Sequence, residues 1–193
     1  MARLAWGWAA LAFVAVPALV CPAATLPRKA PDISLQMVDG KPVQLGQFKG
    51  KVVALAFILT DCPHCQQAVN LLAKLQGEYG SRGFQAVASA IDDMAATSVP
   101  DFVRRFNPPF PVGYNPRNFV VQYLQHPSEE RLLMPQIVVL DREGTIQAQY
   151  AADEMFADAE GGGWEQNLRM EIEQLLRKPA PVSKKGVSRR KKS

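Results

Sequence analysis

Past residue 30 the chain carries two kinds of apolar pattern in turn. VVALAFILT, residues 52–60, is a continuous apolar run, which suits a strand buried on both faces. GFQAVASAI, residues 83–91, repeats that pattern. Between them Ala68, Val69, Leu71, Leu72 and Leu75 recur at helical spacing. They predict a helix from Pro63 to about Tyr79, with Gly77 and Gly80 marking its exit. A second helix is predicted around SVPDFVRRF, residues 98–106, where Pro100 suits the first turn. NPPFPVGYNP, residues 107–116, is too rich in proline for a central strand and predicts a short edge strand or a loop. NFVVQYLQ, residues 118–125, reads as a short helix. LLMPQIVVLDREGTIQAQY, residues 132–150, reads as two strands joined at Asp141 to Gly144. A last helix runs from about Trp164 to Arg177. Ahead of all these, DISLQMVDGKPVQLGQFKGK reads as a hairpin about Asp39 and Gly40. Strands alternating with helices predict an α/β fold: a central mixed sheet, helices on both faces, and an N-terminal β-hairpin.

The ends of the chain read differently. Arg3 precedes an uncharged apolar run from Leu4 to Val20, followed by small residues to Ala24. That is the layout of an export signal, with Cys21 and Ala23 at the −3 and −1 positions of its cleavage zone. Uncut, the same run is long enough for one membrane span. Residues 1–24 are therefore expected to be a signal peptide or an anchor, and the domain extracytoplasmic, either free or tethered to the inner membrane. Cys21 is expected to leave with the signal. Residues 28–178 suffice for one domain with a real core. The net charge of +4 comes from the end: KKGVSRRKKS holds six Lys or Arg and no acid. Setting those six and Arg3 aside leaves 15 basic against 18 acidic residues, a balance of −3. Residues 179–193 are thus expected to be a disordered basic tail on a mildly acidic body. Such a body has no electrostatic footprint for nucleic acid.

The exported body keeps two cysteines, Cys62 and Cys65, in FILTDCPHCQQAV. In an oxidising compartment they tend to pair. A bridge over two intervening residues removes little chain entropy, so it makes a poor structural staple. A redox pair needs a stabilised thiolate. Cys62 at the start of a helix meets free backbone N–H groups and the positive end of the dipole. Pro63 suits the first helical position, His64 can add further stabilisation, and Cys65 lies one turn on, placed to resolve a mixed disulfide. Such a pair needs no bound cofactor, because the disulfide itself carries the electrons.

From about Ala30 to Tyr150 the chain resembles thioredoxin-fold proteins of the TlpA/ResA type, a group allied to the AhpC/TSA peroxiredoxins. The resemblance rests on APDISLQMVDGKPVQLGQFKGK, VVALAFILT, CPHC and MPQIVVLDREGTI. It implies a thiol–disulfide oxidoreductase acting on exported protein thiols or disulfides, recycled by a membrane redox partner, and monomeric. It implies that Cys62 attacks and Cys65 resolves. Pro135 matches the family's cis-proline opposite the cysteines, where it would expose the backbone of Met134 for strand-like pairing with a polypeptide. CPHC is also the sequence of DsbA-type oxidases, which leaves the direction of electron flow open. The chain departs from the pattern in three places. Thioredoxins carry a buried acid where this sequence has Ala56, the ResA type carries a glutamate after the second cysteine where this one reads CQQAV, and Asp61 replaces the usual Trp.

Two other chemistries compete. A thiol peroxidase of the related type needs Thr or Ser three residues before its nucleophile and Pro seven before. Those places hold Leu59 and Leu55 before Cys62, and Cys62 and Ile58 before Cys65. A copper-binding chaperone of the SCO type has three residues between its cysteines and a histidine just ahead of a late strand. Here there are two, and His126 lies well before MPQIVVL. No metal ligand is assigned to the expected site, and the copper-binding chaperone stays as the alternative reading, with the thiol peroxidase behind it.

Overall fold

The computed structural model describes residues 24–127, 129–155 and 163–179. The expected signal or anchor, Cys21 with it, and the basic tail lie outside the described residues, save Ala24 and Pro179. The two long apolar runs form the centre of the sheet: β4, Val52–Ile58, and β5, Phe84–Ala90. Every residue of β4 is buried. It pairs in parallel with β5 and antiparallel with β7, Gln136–Leu140. β7 continues through a tight turn into β8, Thr145–Ala151. Asp141 builds that turn, its Oδ1 accepting the N–H groups of Glu143 and Thr145 at 3.0 and 2.9 Å. β6, Val112–Tyr114, pairs in parallel with β5 at one edge, and β1, Arg28–Lys29, pairs antiparallel with β8 at the other. The order is β1-β8-β7-β4-β5-β6, a mixed sheet.

The predicted hairpin is present but its strands are short: β2, Ser34–Leu35, and β3, Val43–Gln44. Its function in the fold is to cover an edge. Gln36 and Tyr114 exchange two backbone hydrogen bonds, at 3.0 and 2.9 Å, so the hairpin caps the open side of β6.

Helices lie on both faces. Helix α1, Pro63–Tyr79, matches the predicted bounds. Its Tyr79 ring meets Phe84 edge-on. Strand alternation places Ala54, Ala56, Ala86 and Ala88 on the same face as Phe84, in facing pairs 54–86 and 56–88. Four small side chains let α1 settle close to the sheet. On the opposite face Phe57 meets Tyr123 of α3, Arg117–Leu124. The predicted final helix is α5, Gly163–Arg177, preceded by one short turn, α4, Ala152–Met155.

Helix α2 departs from expectation. It spans Ala95–Phe106, so Pro100 lies inside it and not in its first turn. The buried stripe explains this: Ala95, Val99 and Phe102 follow helical spacing and hold the segment helical ahead of the proline.

Candidate active site

The ends of β4 and β5 lie side by side, with the Ile91 N–H donating to Ile58 O at 3.0 Å. Beyond β4 the chain turns through Leu59, Thr60 and Asp61 into α1. Cys62 is the N-cap of that helix, with extended backbone (φ −79°, ψ 120°), and Pro63 is its first residue. Cys62 is half-buried, while His64 and Asp61 are exposed. Cys65, one turn in, is wholly buried. The sequence pattern is thus realised as one accessible sulfur at the helix start and one sulfur behind it.

The two sulfurs have different surroundings. Cys65 Sγ accepts the Leu59 N–H at 3.3 Å. Burial pushes the Cys65 thiol far above its ordinary value. The Leu59 hydrogen bond opposes this, and the Cys62 sulfur and the Asp92 carboxylate add to it. Cys65 is therefore a neutral thiol at physiological pH. Cys62, half-buried, instead sets its sulfur 3.9 Å from Met134 O.

Met134 and Pro135 approach from the loop before β7. Their peptide bond is cis. The Met134 side chain is buried, and Gln136 Nε2 braces the loop by donating to Leu133 O at 2.7 Å. Cys62, His64, Arg131, Leu133 and Met134 line an open groove of about 420 Å³ that also reaches Asp153. All six residues singled out in the sequence, Cys62, Pro63, His64, Cys65, Met134 and Pro135, thus lie at one end of the sheet. His126 does not join them; its ring lies against Glu130 O in the turn after α3. Among the described residues no group of three His, Cys, Asp or Glu side chains is placed to hold a metal ion.

A second layer was not read from the sequence. The Asp92 carboxylate, just past β5, accepts the Thr60 N–H at 3.1 and 3.2 Å and the Thr60 hydroxyl at 3.3 Å. Gln66 Nε2 of α1 donates to Thr60 O at 3.1 Å. The turn carrying the cysteines is thereby tied to its neighbouring strand and to its own helix. The only sequence signal is an acid directly after an apolar run, and its meaning depends on the β4–β5 register.

Comparison with known proteins agrees with this geometry. The profile of the family described as Redoxin matches residues 27–161. The chain is 24% identical over 119 residues to the thiol-disulfide oxidoreductase ResA of Bacillus thuringiensis subsp. konkukian, covering 62% of this chain and 65% of that protein. It is 29% identical over 121 residues to the thioredoxin-like protein YneN of Bacillus subtilis, covering 62% and 68%. Its alignment thus spans about two thirds of the length of these relatives. Among solved structures, it is similar to a Chlorobium tepidum chain assigned as a thiol:disulfide interchange protein DsbE. That match has 26% identity and a TM-score of 0.65, over 78% of this chain and 96% of the other.

Proposed function

The chain belongs to the Redoxin family, and we propose that it is an exported thiol–disulfide oxidoreductase that exchanges disulfides with proteins through Cys62 and Cys65. The observation that carries this reading is the asymmetry of the pair. Cys62 is half-buried at a helix N-terminus and opens on a groove, while Cys65 is fully buried one turn behind it. A nucleophile must reach its substrate, whereas a resolving thiol must be reached only by the mixed disulfide.

In the reducing direction the Cys62 thiolate attacks one sulfur of a substrate disulfide, and the other substrate sulfur leaves as a thiolate and is protonated. Cys65 then attacks Cys62 Sγ, the second substrate thiol leaves, and the dithiol has passed two electrons to the substrate. In the oxidising direction the steps reverse. The pair carries the electrons itself, so no bound cofactor is invoked. Pro63 starts the helix without wasting a donor, and His64 lies beside the groove, where it stabilises the Cys62 thiolate. Met134 and Pro135 frame the groove, and an extended substrate pairs along the Met134 backbone. The apolar run from Leu4 to Val20 supports export, with a membrane redox partner recycling the pair. Among the described residues no helix is long and apolar enough to cross a membrane.

The test is trapping. Cys65→Ser should accumulate mixed disulfides with other exported proteins, because nothing remains to resolve them. Cys62→Ser should accumulate few, since Cys65 is buried. Equal trapping by both variants refutes the assignment. Stoichiometric copper binding by the wild type would favour a metal carrier instead.

A further inference from the structure

Resolution by Cys65 poses a proton problem. Its sulfur is fully buried and its thiol is neutral, so it cannot attack until a base removes the proton. The core strand offers none. Position 56 is an alanine, fully buried between Ala88 and Ile137 on the flanking strands. The residues after Cys65 are Gln66 and Gln67, which are not bases.

We infer that Asp92 accepts the Cys65 proton during resolution, an assignment that rests on the oxidoreductase reading above. The geometry is that of adjacent amides. The Leu59 N–H holds Cys65 Sγ, and the next N–H along the chain, that of Thr60, holds the Asp92 carboxylate. Thiol and carboxylate therefore hang from the same two residues. The Thr60 hydroxyl and Gln66 fix this turn in place. Asp92 lies near enough for its charge to raise the Cys65 thiol further, and a cleft of about 330 Å³ opens on Thr60, Asp61 and Gln66, the residues that tie this turn down. Asp61 faces that cleft from the turn, and Asp101 and Arg105 face it from α2. Only Asp92, of these groups and its neighbour Asp93, holds the segment that also holds the cysteine.

Charge conservation favours this route. A lone thiolate created in the core adds a buried charge, which desolvation strongly disfavours. Moving the proton onto an existing carboxylate leaves one charge before and one after. In the step, Cys65 passes its proton to Asp92 and its sulfur lone pair to Cys62 Sγ. The bond from Cys62 to the substrate sulfur breaks, and that sulfur leaves with the bonding pair. The Asp92 acid then returns the proton to the departing thiolate or to water.

Stopped-flow reaction of the reduced full chain with one equivalent of 5,5′-dithiobis(2-nitrobenzoate) separates the two steps. The first release of thionitrobenzoate reports attack by Cys62, and the second reports resolution by Cys65. Asp92→Asn keeps an oxygen for the Thr60 N–H but removes the base. The second release should slow by about 10²-fold at pH 7, within the usual range for loss of a general base, while the first is unchanged. The deficit should shrink as pH rises and hydroxide takes over, and Asp92→Glu should restore much of the rate. An unchanged second release, or slowing that does not vary with pH, overturns the assignment. Where Asp92→Asn does not fold, Thr60→Val serves, since it removes the hydroxyl that donates to Asp92 and leaves the carboxylate in place. The carboxylate then loses a bond that stabilises its charged form and becomes the stronger base, so a several-fold faster second release with the first unchanged supports the role, and an unchanged one overturns it. If the wild type itself gives no second release, the oxidoreductase reading falls, a result distinct from either.

Discussion

His64 is the second residue of α1 and lies exposed in the groove beside Cys62. In the mechanism proposed above, the helix dipole, Pro63 and His64 favour the Cys62 thiolate, which would favour the reduced pair and make the disulfide more oxidising. Asp61 opposes them, but it lines the cleft on the α2 side, whereas His64 lines the groove with Cys62. The pair is expected to be more oxidising than thioredoxin and less so than a dedicated oxidase, between about −270 and −120 mV. His64→Ala should lower the potential by roughly 10–30 mV in redox titration against glutathione. An unchanged potential would leave His64 a surface residue of the helix and remove the basis for this direction. The cysteines, Pro63 and Pro135 were legible because each belongs to a short local motif. Asp92 was not, because only the parallel register of β4 and β5 brings it beside Thr60, 32 residues away. A gap in the expected pattern, Ala56, was visible; what fills it was a property of the fold.

At the scale of elements, the long apolar runs were legible because burial on both faces leaves no alternation to misread. β1 was not, being two residues long and defined only by its distant partner β8. Pro100 misled because proline is a strong start signal, whereas the buried stripe of Ala95, Val99 and Phe102 outweighs it here. The hairpin cover over β6 makes a sharp prediction. A Cβ on Gly113 would stand 2.5 Å from Gln36 O and 2.8 Å from Met37 Sδ. The backbone oxygen cannot move without releasing the Gln36–Tyr114 bridge. Gly113→Ala should therefore cost roughly 1–3 kcal/mol in denaturant unfolding and expose the β6 edge. Self-association of the variant under native conditions would report the second effect, and an unchanged midpoint would show that the hairpin shifts freely.

Across the whole molecule, α5 braces α1, the helix that carries both cysteines. Arg169 of α5 binds Glu78 of α1 and, within its own helix, Glu165 at 2.9 Å. Lys74 reaches Glu165 at 3.4 Å, and the Tyr79 hydroxyl donates to Glu173 at 2.7 Å. Arg169 holds the carboxyls of Glu78 and Glu165 below the usual glutamate range, chiefly by hydrogen bonding. The sign follows from linkage. A carboxyl depressed in the folded state contributes stability that is present above its unfolded value and is lost as pH falls through the folded value. Arg169→Leu should therefore lower the thermal midpoint at pH 7 by roughly 2–4 °C, since partly exposed pairs contribute little each. The gap to wild type should close below about pH 4, where glutamates protonate, and shrink in high salt. The brace is at the far end of α1 from Cys62, so the reduction potential should stay within about 10 mV of wild type. A gap that persists at low pH would show that the Arg169 stem, and not its charge, holds the two helices together.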